Sequence, residues 1–209
     1  MKYYSLIFGL LISTVVYAQQ RFTGFLNTGI TASQISGDGT HGFVQFGVNI
    51  GPSLQYQLNE PWLLETGLYF NQKGARRYQS QGNISTYRLR VNYIGLPILL
   101  VYHWNKFHFK LGPSFNVKIN QKERTEFGEI DNPRIFEPVE LAIFSGISYT
   151  LNEKWQLNLS YQNSLLPVRP HSADFAFPPT NFVLGEWHQE ILNKGQYFSL
   201  FSLCISYKL

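Results

Sequence analysis

The chain has 209 residues, 17 basic and 13 acidic, with a formal charge of +4 at pH 7. Only 14% of residues are charged and 16% are aromatic, whereas a soluble domain carries roughly a quarter charged residues, so much of the surface is expected to face something other than water. The charge is mild, and neither a basic run nor a Gly-rich phosphate loop is present, which excludes nucleic acid as a partner.

At the N-terminus, Lys2 supplies a short positive region and residues 5–16 form an uncharged apolar core. Compact residues at Val16, Tyr17 and Ala18 precede Gln19. This order predicts a secretory signal peptide over 1–18 and a single domain over 19–209. The apolar run is too short for a membrane-spanning helix, and no cysteine follows it to carry a lipid. Cys204 is the only cysteine in the chain, so no internal disulfide can form, and it is expected to face inward as a small side chain.

Beyond the leader, alternation with a period of two predicts strands over 22–35, 43–58, 62–77, 86–104, 107–121, 139–151, 155–165 and 196–209. Three short polar turns recur in similar settings, in YQLNEPWLLETGLY (56–69), YHWNKFHFKLGPSF (102–115) and YTLNEKWQLNLSY (149–161). The intervening connections at 36–42, 78–85, 122–138 and 165–195 are longer, and the last carries Pro167, Pro170, Pro178 and Pro179. An even number of antiparallel strands, with short turns at one end and long loops at the other, describes an up-and-down barrel. Spanning a membrane takes about 9–11 residues per strand, and most of these segments are longer.

The chemistry of the two faces decides between a soluble barrel and a membrane barrel. Over 107–121 one face reads Phe107, Phe109, Leu111, Pro113, Phe115, Val117 and Ile119. The other reads His108, Lys110, Gly112, Ser114, Asn116, Lys118 and Asn120. Small polar residues suit a narrow lumen, whereas a water-facing wall carries more Lys and Glu. The apolar faces carry no charge across their middles, the exclusion a bilayer imposes. Aromatic residues beside the short turns (Tyr56, Trp62, Tyr102, Trp104, Phe107, Tyr149, Trp155 and Tyr207) are expected to form a girdle at the membrane boundary.

Eight strands leave an interior that side chains can fill, which argues against a solute channel. Glu65, Lys73, Arg90, Lys110 and Lys118 are the candidate lumen charges, expected to pair because an unpartnered buried charge is costly. Tyr93, Pro97 and Leu99 are expected to point inward from the strand 86–104 as a plug. No catalytic, cofactor or metal site is expected. His41 with Asp38, and His171 with Ser172 and Asp174, read as solvated loop residues, and His103, His108 and His188 are scattered. The 165–195 loop is unusually apolar. It is expected either to fold back over the barrel mouth or to meet a protein partner, with Phe175, Phe177, Phe182 and Trp187 as the candidate partner-binding residues.

The segments Ile35-Ser36-Gly37-Asp38-Gly39, Glu65 through Gly74 (ETGLYFNQKG), Tyr93 through Leu100 (YIGLPILL) and Leu111-Gly112-Pro113 resemble the PorT-like outer-membrane β-barrel proteins. The resemblance spans nearly all of the mature chain and implies the barrel and its location. It implies a secretion role, of the type IX kind, far less specifically. The chain ends in Leu209, whereas many outer-membrane barrels end in an aromatic residue.

The expected protein is therefore all-β, an eight-stranded antiparallel up-and-down transmembrane β-barrel of the bacterial outer membrane, with both termini periplasmic. Its expected role is structural, binding or secretion-accessory, without catalysis. A small passive pore and an outer-membrane lipid-modifying enzyme are the alternatives. Outer-membrane lipid around the wall is the expected partner, and no cofactor is expected.

Overall fold

The computed structural model describes residues 21–36, 42–77, 86–131, 135–170 and 195–209. Among these residues the strands are β1 (Phe22–Ser36), β2 (Gln45–Asn59), β3 (Trp62–Gly67), β4 (Tyr69–Arg77), β5 (Tyr87–Trp104), β6 (Phe107–Thr125), β7 (Gly128–Glu129), β8 (Val139–Thr150), β9 (Trp155–Ser164), β10 (Arg169–Pro170) and β11 (Gly195–Lys208). Every pairing is antiparallel. The last long strand, β11, pairs with the first, β1, from Phe25↔Lys208 to Ser36↔Tyr197, and this pairing closes the sheet into a barrel. With β3 and β4 taken as two halves of one stave, the wall has eight staves. The short β7 folds back on β6, and β10 pairs with the start of β11.

The alternation seen in the sequence is the alternation of the wall. Outward side chains pair across strands in an unbroken apolar row, Val48↔Ile30↔Leu203↔Leu159↔Ile147↔Phe109↔Tyr102↔Trp62. Beside the short turns the expected girdle residues form ring pairs, Trp62 with Tyr102, Phe107 with Tyr149 and Trp155 with Tyr207, and Tyr56 packs on Phe22, which was not among them, with centroids 4.8 to 5.1 Å apart. In the Trp104–Phe107 turn, Asn105 takes φ 55°, a left-handed conformation that Asn tolerates better than most residues.

Besides a register shift at Gln57/Asn59 beside the β2–β3 turn, three departures from the simple alternating pattern shape the wall. The stave 62–77 breaks at Leu68, whose N–H donates to Pro52 O at 3.0 Å. A Cβ on Gly51 would lie 1.8 Å from Leu68 O, so only glycine allows this approach. In β6, Asn120 pairs with Asn92 and Lys118 pairs with Tyr93, so Ile119 bulges out of register. Ile119 and Asn120 therefore both face outward, and Gln121 and Glu123 face the interior instead of Asn120.

The third departure lies between β2 and β4, whose ladder is confined to Asn49↔Asn71 and Ile50↔Phe70. Nearer the long-loop end, β1 side chains take over its role. Thr31 Oγ1 donates to Gln72 O at 2.9 Å. Ser33 Oγ accepts the Gly74 N–H at 2.9 Å and donates to Gly74 O at 3.0 Å, reproducing with one hydroxyl the pair of bonds a strand would make. Ser33→Ala is expected to cost about 1–3 kcal/mol by leaving these backbone groups dry and unpaired. A urea titration in micelles would measure the loss; an unchanged midpoint would show that water or β2 replaces the hydroxyl.

Candidate functional site: the filled lumen

The inward positions of the eight staves converge on a lumen about one side chain wide, and its contents form three tiers. The tier nearest the short turns is a polar ring that returns to the strand on which it begins. Gln55 of β2 donates to Glu65 Oε2 at 2.7 Å. Glu65 of β3 pairs with Lys110 Nζ of β6 at 2.7 Å, and Lys110 reaches Asn158 Oδ1 of β9 at 3.4 Å. Asn158 Nδ2 donates to Ser206 Oγ of β11 at 2.5 Å, and its Oδ1 accepts from Ser148 of β8. Ser206 donates to Asn27 Oδ1 of β1, and Asn27 Nδ2 donates to Ser53 Oγ of β2 at 2.9 Å. Only β5 contributes no polar group here; it supplies buried Leu99 and Val101. Cys204 lies inside, as expected, against Gly29, where an added Cβ would come within 2.6 Å of its Sγ.

The middle tier is drier. Lys73 Nζ and Glu140 Oε2 stand 2.7 Å apart with both side chains 1% exposed. Ser164 Oγ donates to the other carboxylate oxygen at 2.6 Å and accepts the Phe198 N–H at 3.1 Å, joining β4, β8, β9 and β11. The Lys73 ammonium also lies 5.3 Å from the centroid of the Tyr93 ring, a favourable cation–π placement.

The third tier closes the long-loop end. Ile35, Ala75, Leu89, Val91, Tyr93, Phe136, Val168 and Phe198 form one buried cluster. Phe136 and Val168 reach it from connections outside the wall strands. Their segments are tied down by backbone bonds, Glu137 N–H to Val168 O and Val168 N–H to Gln196 O, each 2.8 Å. Arg169 lies with its guanidinium 3.8 Å from the centroid of the Phe136 ring and pairs with Glu123. Tyr87 also donates to Glu123, at 3.2 Å.

Of the five candidate lumen charges, Glu65, Lys73 and Lys110 stand inside and paired. Lys118 sits at the rim, where it donates to Gln121 Oε1 at 3.3 Å and to Phe136 O, holding the loop that enters the mouth. Arg90 is corrected: it is outside the lumen. Leu89, Val91 and Tyr93 take the interior positions of β5, and Arg90 shares the outer face with Arg88, opposite Lys122. Sequence reasoning missed Glu123, Glu140 and Arg169. Glu140 was legible as the lone charge on the inner face of its strand, but Glu123 was hidden by the bulge at Ile119.

The candidate partner-binding residues Phe175, Phe177, Phe182 and Trp187 lie outside the described residues, as do Asp38, His41, His171, Ser172, Asp174, His188 and the leader over 1–18. His103 and His108 stack at 4.6 Å between centroids. They border an open depression of ≈ 270 Å³ at the short-turn end, shared with Phe25, Gln55, Gln156 and Lys208. Among the described residues no group of three His, Cys, Asp or Glu side chains is placed to hold a metal ion.

A closed wall with an apolar exterior, paired boundary aromatics and a polar interior is the architecture of a bacterial outer-membrane barrel. The family model of the outer membrane protein beta-barrel domain matches residues 17–168. The chain belongs to this family. No curated protein matches it significantly. Among solved structures, it is similar to Ail, the attachment invasion locus protein of Yersinia pestis, with a TM-score of 0.51 at 14% identity, covering 90% of this chain and 99% of that one. A second Ail structure, in complex with the heparin analogue sucrose octasulfate, aligns with a TM-score of 0.50 at 14% identity over the same shares. Neisserial surface protein A aligns with a TM-score of 0.46 at 12% identity, covering 90% of this chain and 97% of that one. This member of the outer membrane beta-barrel family is thus an all-β membrane barrel of the bacterial outer membrane.

Proposed function

We propose that this protein is a non-catalytic outer-membrane barrel that serves as a rigid closed anchor for its long loops, in a structural, binding or secretion-accessory role. The observation that carries the reading is the filled lumen. A polar ring, a dry ion pair and an inserted loop cluster occupy successive heights of a barrel already too narrow for bulk water. Short turns in such barrels are periplasmic and long loops extracellular, so the cluster that Phe136 and Val168 complete lies at the outer mouth, and the 165–195 connection, from which Val168 comes, is the segment we assign to a partner. The segments 35–39, 65–74 and 93–100 support the narrower assignment to the PorT-like group, and with it an accessory place in secretion. The predicted leader over 1–18 fits export to this membrane.

Planar-bilayer recording of the refolded mature chain tests this reading. Electrical silence is expected, both for the wild type and for Phe136→Ala, because the polar ring below remains intact. A steady ohmic conductance in the wild type would replace the proposal with a passive pore. Outer-membrane lipids are expected to be the same in cells carrying wild-type protein and His41→Ala/His171→Ala; a headgroup or acyl change tied to those histidines would favour a lipid-modifying enzyme.

A further inference from the structure

The outer surface of β4, β5 and β6 changes chemistry in three steps along the strands. On β5 the outward residues Tyr102, Leu100, Ile98, Leu96 and Ile94 are apolar and at least 38% exposed. From Ile94 to Tyr102 the strand runs about 27 Å at ~3.4 Å per residue. A tilt of ~40° shortens this to about 20 Å, most of the roughly 25 Å apolar band of such barrels. The next outward rung is an amide ladder: Gln72 donates to Asn92 Oδ1 at 3.0 Å, and Asn92 donates to Asn120 Oδ1 at 2.8 Å. Beyond it every outward side chain is cationic. Arg90 stands opposite Lys122, with Gly74 on its other side, and Arg76, Arg88 and Arg124 stand directly opposite one another on three adjacent strands.

Like charges in direct cross-strand register destabilise a sheet, so this arrangement needs an anion. Among the described residues little of one is supplied to Arg88, Arg90, Lys122 and Arg124. Of Arg88, Arg90, Lys122 and Arg124, only Arg124 has an ion-pair partner among the described residues, namely Glu129 at 3.3 Å with both side chains well exposed, and such exposed pairs contribute little. Arg90 Nε is shielded from solvent without a hydrogen-bond partner, although Arg88 and Arg124 lie within electrostatic reach. On β5 the first cation, Arg90, stands four residues beyond Ile94, one outward position past the amide ladder, at the depth of lipid headgroups.

We propose that Arg88, Arg90, Lys122 and Arg124 form a binding site on the outer wall for the phosphate-bearing headgroup of an outer-leaflet lipid. The lipid tails cover the apolar residues of the same three strands, and the phosphates bridge guanidinium groups that repel one another when bare. Arginine suits this role because its planar fork binds phosphate in two-point fashion. The proposal rests on the membrane location and not on the closed-anchor reading, so conductance in the bilayer experiment leaves it standing.

The test uses the mature chain refolded in zwitterionic detergent, with the heat-unfolding midpoint read by gel mobility. The probes are diphosphorylated lipid A, the same lipid stripped of its phosphates, and a soluble heparin fragment. The wild type is expected to gain several degrees with the phosphorylated lipid and little with the other two. Arg88→Gln/Arg90→Gln is expected to lose most of that gain, yet to unfold no earlier than wild type in detergent alone, because repulsion has been removed. Lys154→Gln, at the short-turn end, controls for net charge and should keep the gain. Equal gains with and without phosphates, or equal gains in wild type and the double variant, would overturn the proposal. So would earlier unfolding of the double variant in detergent alone, which would make the arginines structural. A gain with heparin but none with the phosphorylated lipid would assign the patch to soluble polyanions and overturn the lipid source.

Discussion

Lys73→Met is expected to lower the unfolding free energy by about 3–5 kcal/mol, the loss typical of a buried charge left without its partner. Glu140 would keep the Ser164 hydroxyl at 2.6 Å but lose the ammonium at 2.7 Å, in a setting where both side chains are 1% exposed. Replacing both partners, as Lys73→Met/Glu140→Leu, is expected to restore most of the loss, since apolar residues of similar volume often substitute for a buried pair without penalty. Lys110→Met should cost less than Lys73→Met, because Glu65 retains the Gln55 amide at 2.7 Å and its side chain is slightly more exposed, at 4%. Urea titrations followed by tryptophan fluorescence would rank the variants. A Lys73→Met protein as stable as wild type would mean that water reaches the middle tier and that the lumen is not sealed there.

Leu203→Arg is the second large effect. Leu203 is 45% exposed and lies within the outward apolar row, flanked by Ile30 and Leu159. A cation there is expected to cost about 2–4 kcal/mol at the bilayer midplane. Asn120→Arg also places a cation on the outer wall, but above the apolar band, where the cost falls to about 0–1 kcal/mol. Folding into lipid vesicles rather than micelles is the proper assay, because the penalty comes from the bilayer. Equal effects at the two positions would mean that the band has been placed at the wrong height.

Arg90 explains why one candidate lumen charge was misplaced. Within the membrane the wall is apolar outside and polar inside, and a charged residue reads as inward. At the long-loop end the same strand leaves the bilayer, the outside meets water and headgroups, and the inside becomes the dry cluster around Phe136 and Val168. The code of the two faces therefore inverts partway along β5, between Ile94 and Arg90, with no interruption in the alternation itself. Lys118 lies close to the same boundary on β6 and so ends at the rim. Glu65 and Lys110 lie below the inversion, and Lys73, in register with Val91, lies level with it; all three side chains are buried in the lumen.

What the sequence determined by itself was the class of fold, the number of staves, the apolar exterior and the aromatic boundary, because each follows from a local regularity. A strand turns its side chains over every residue, and the bilayer excludes charge from one side of that alternation, so composition along a short window is sufficient. Tertiary structure alone decided which charges meet. Lys73 finds Glu140 and Glu123 finds Arg169 across 67 and 46 residues of chain, by convergence of separate strands at the same height of the lumen. It also decided the inward turn of Glu123, since one extra residue at Ile119 reverses every face beyond it and leaves no mark in composition. The basic row on the outer wall is of the same kind. Arg76, Arg88 and Arg124 are unremarkable where they stand in the chain, and only the cross-strand register, a property of the closed barrel, sets them side by side.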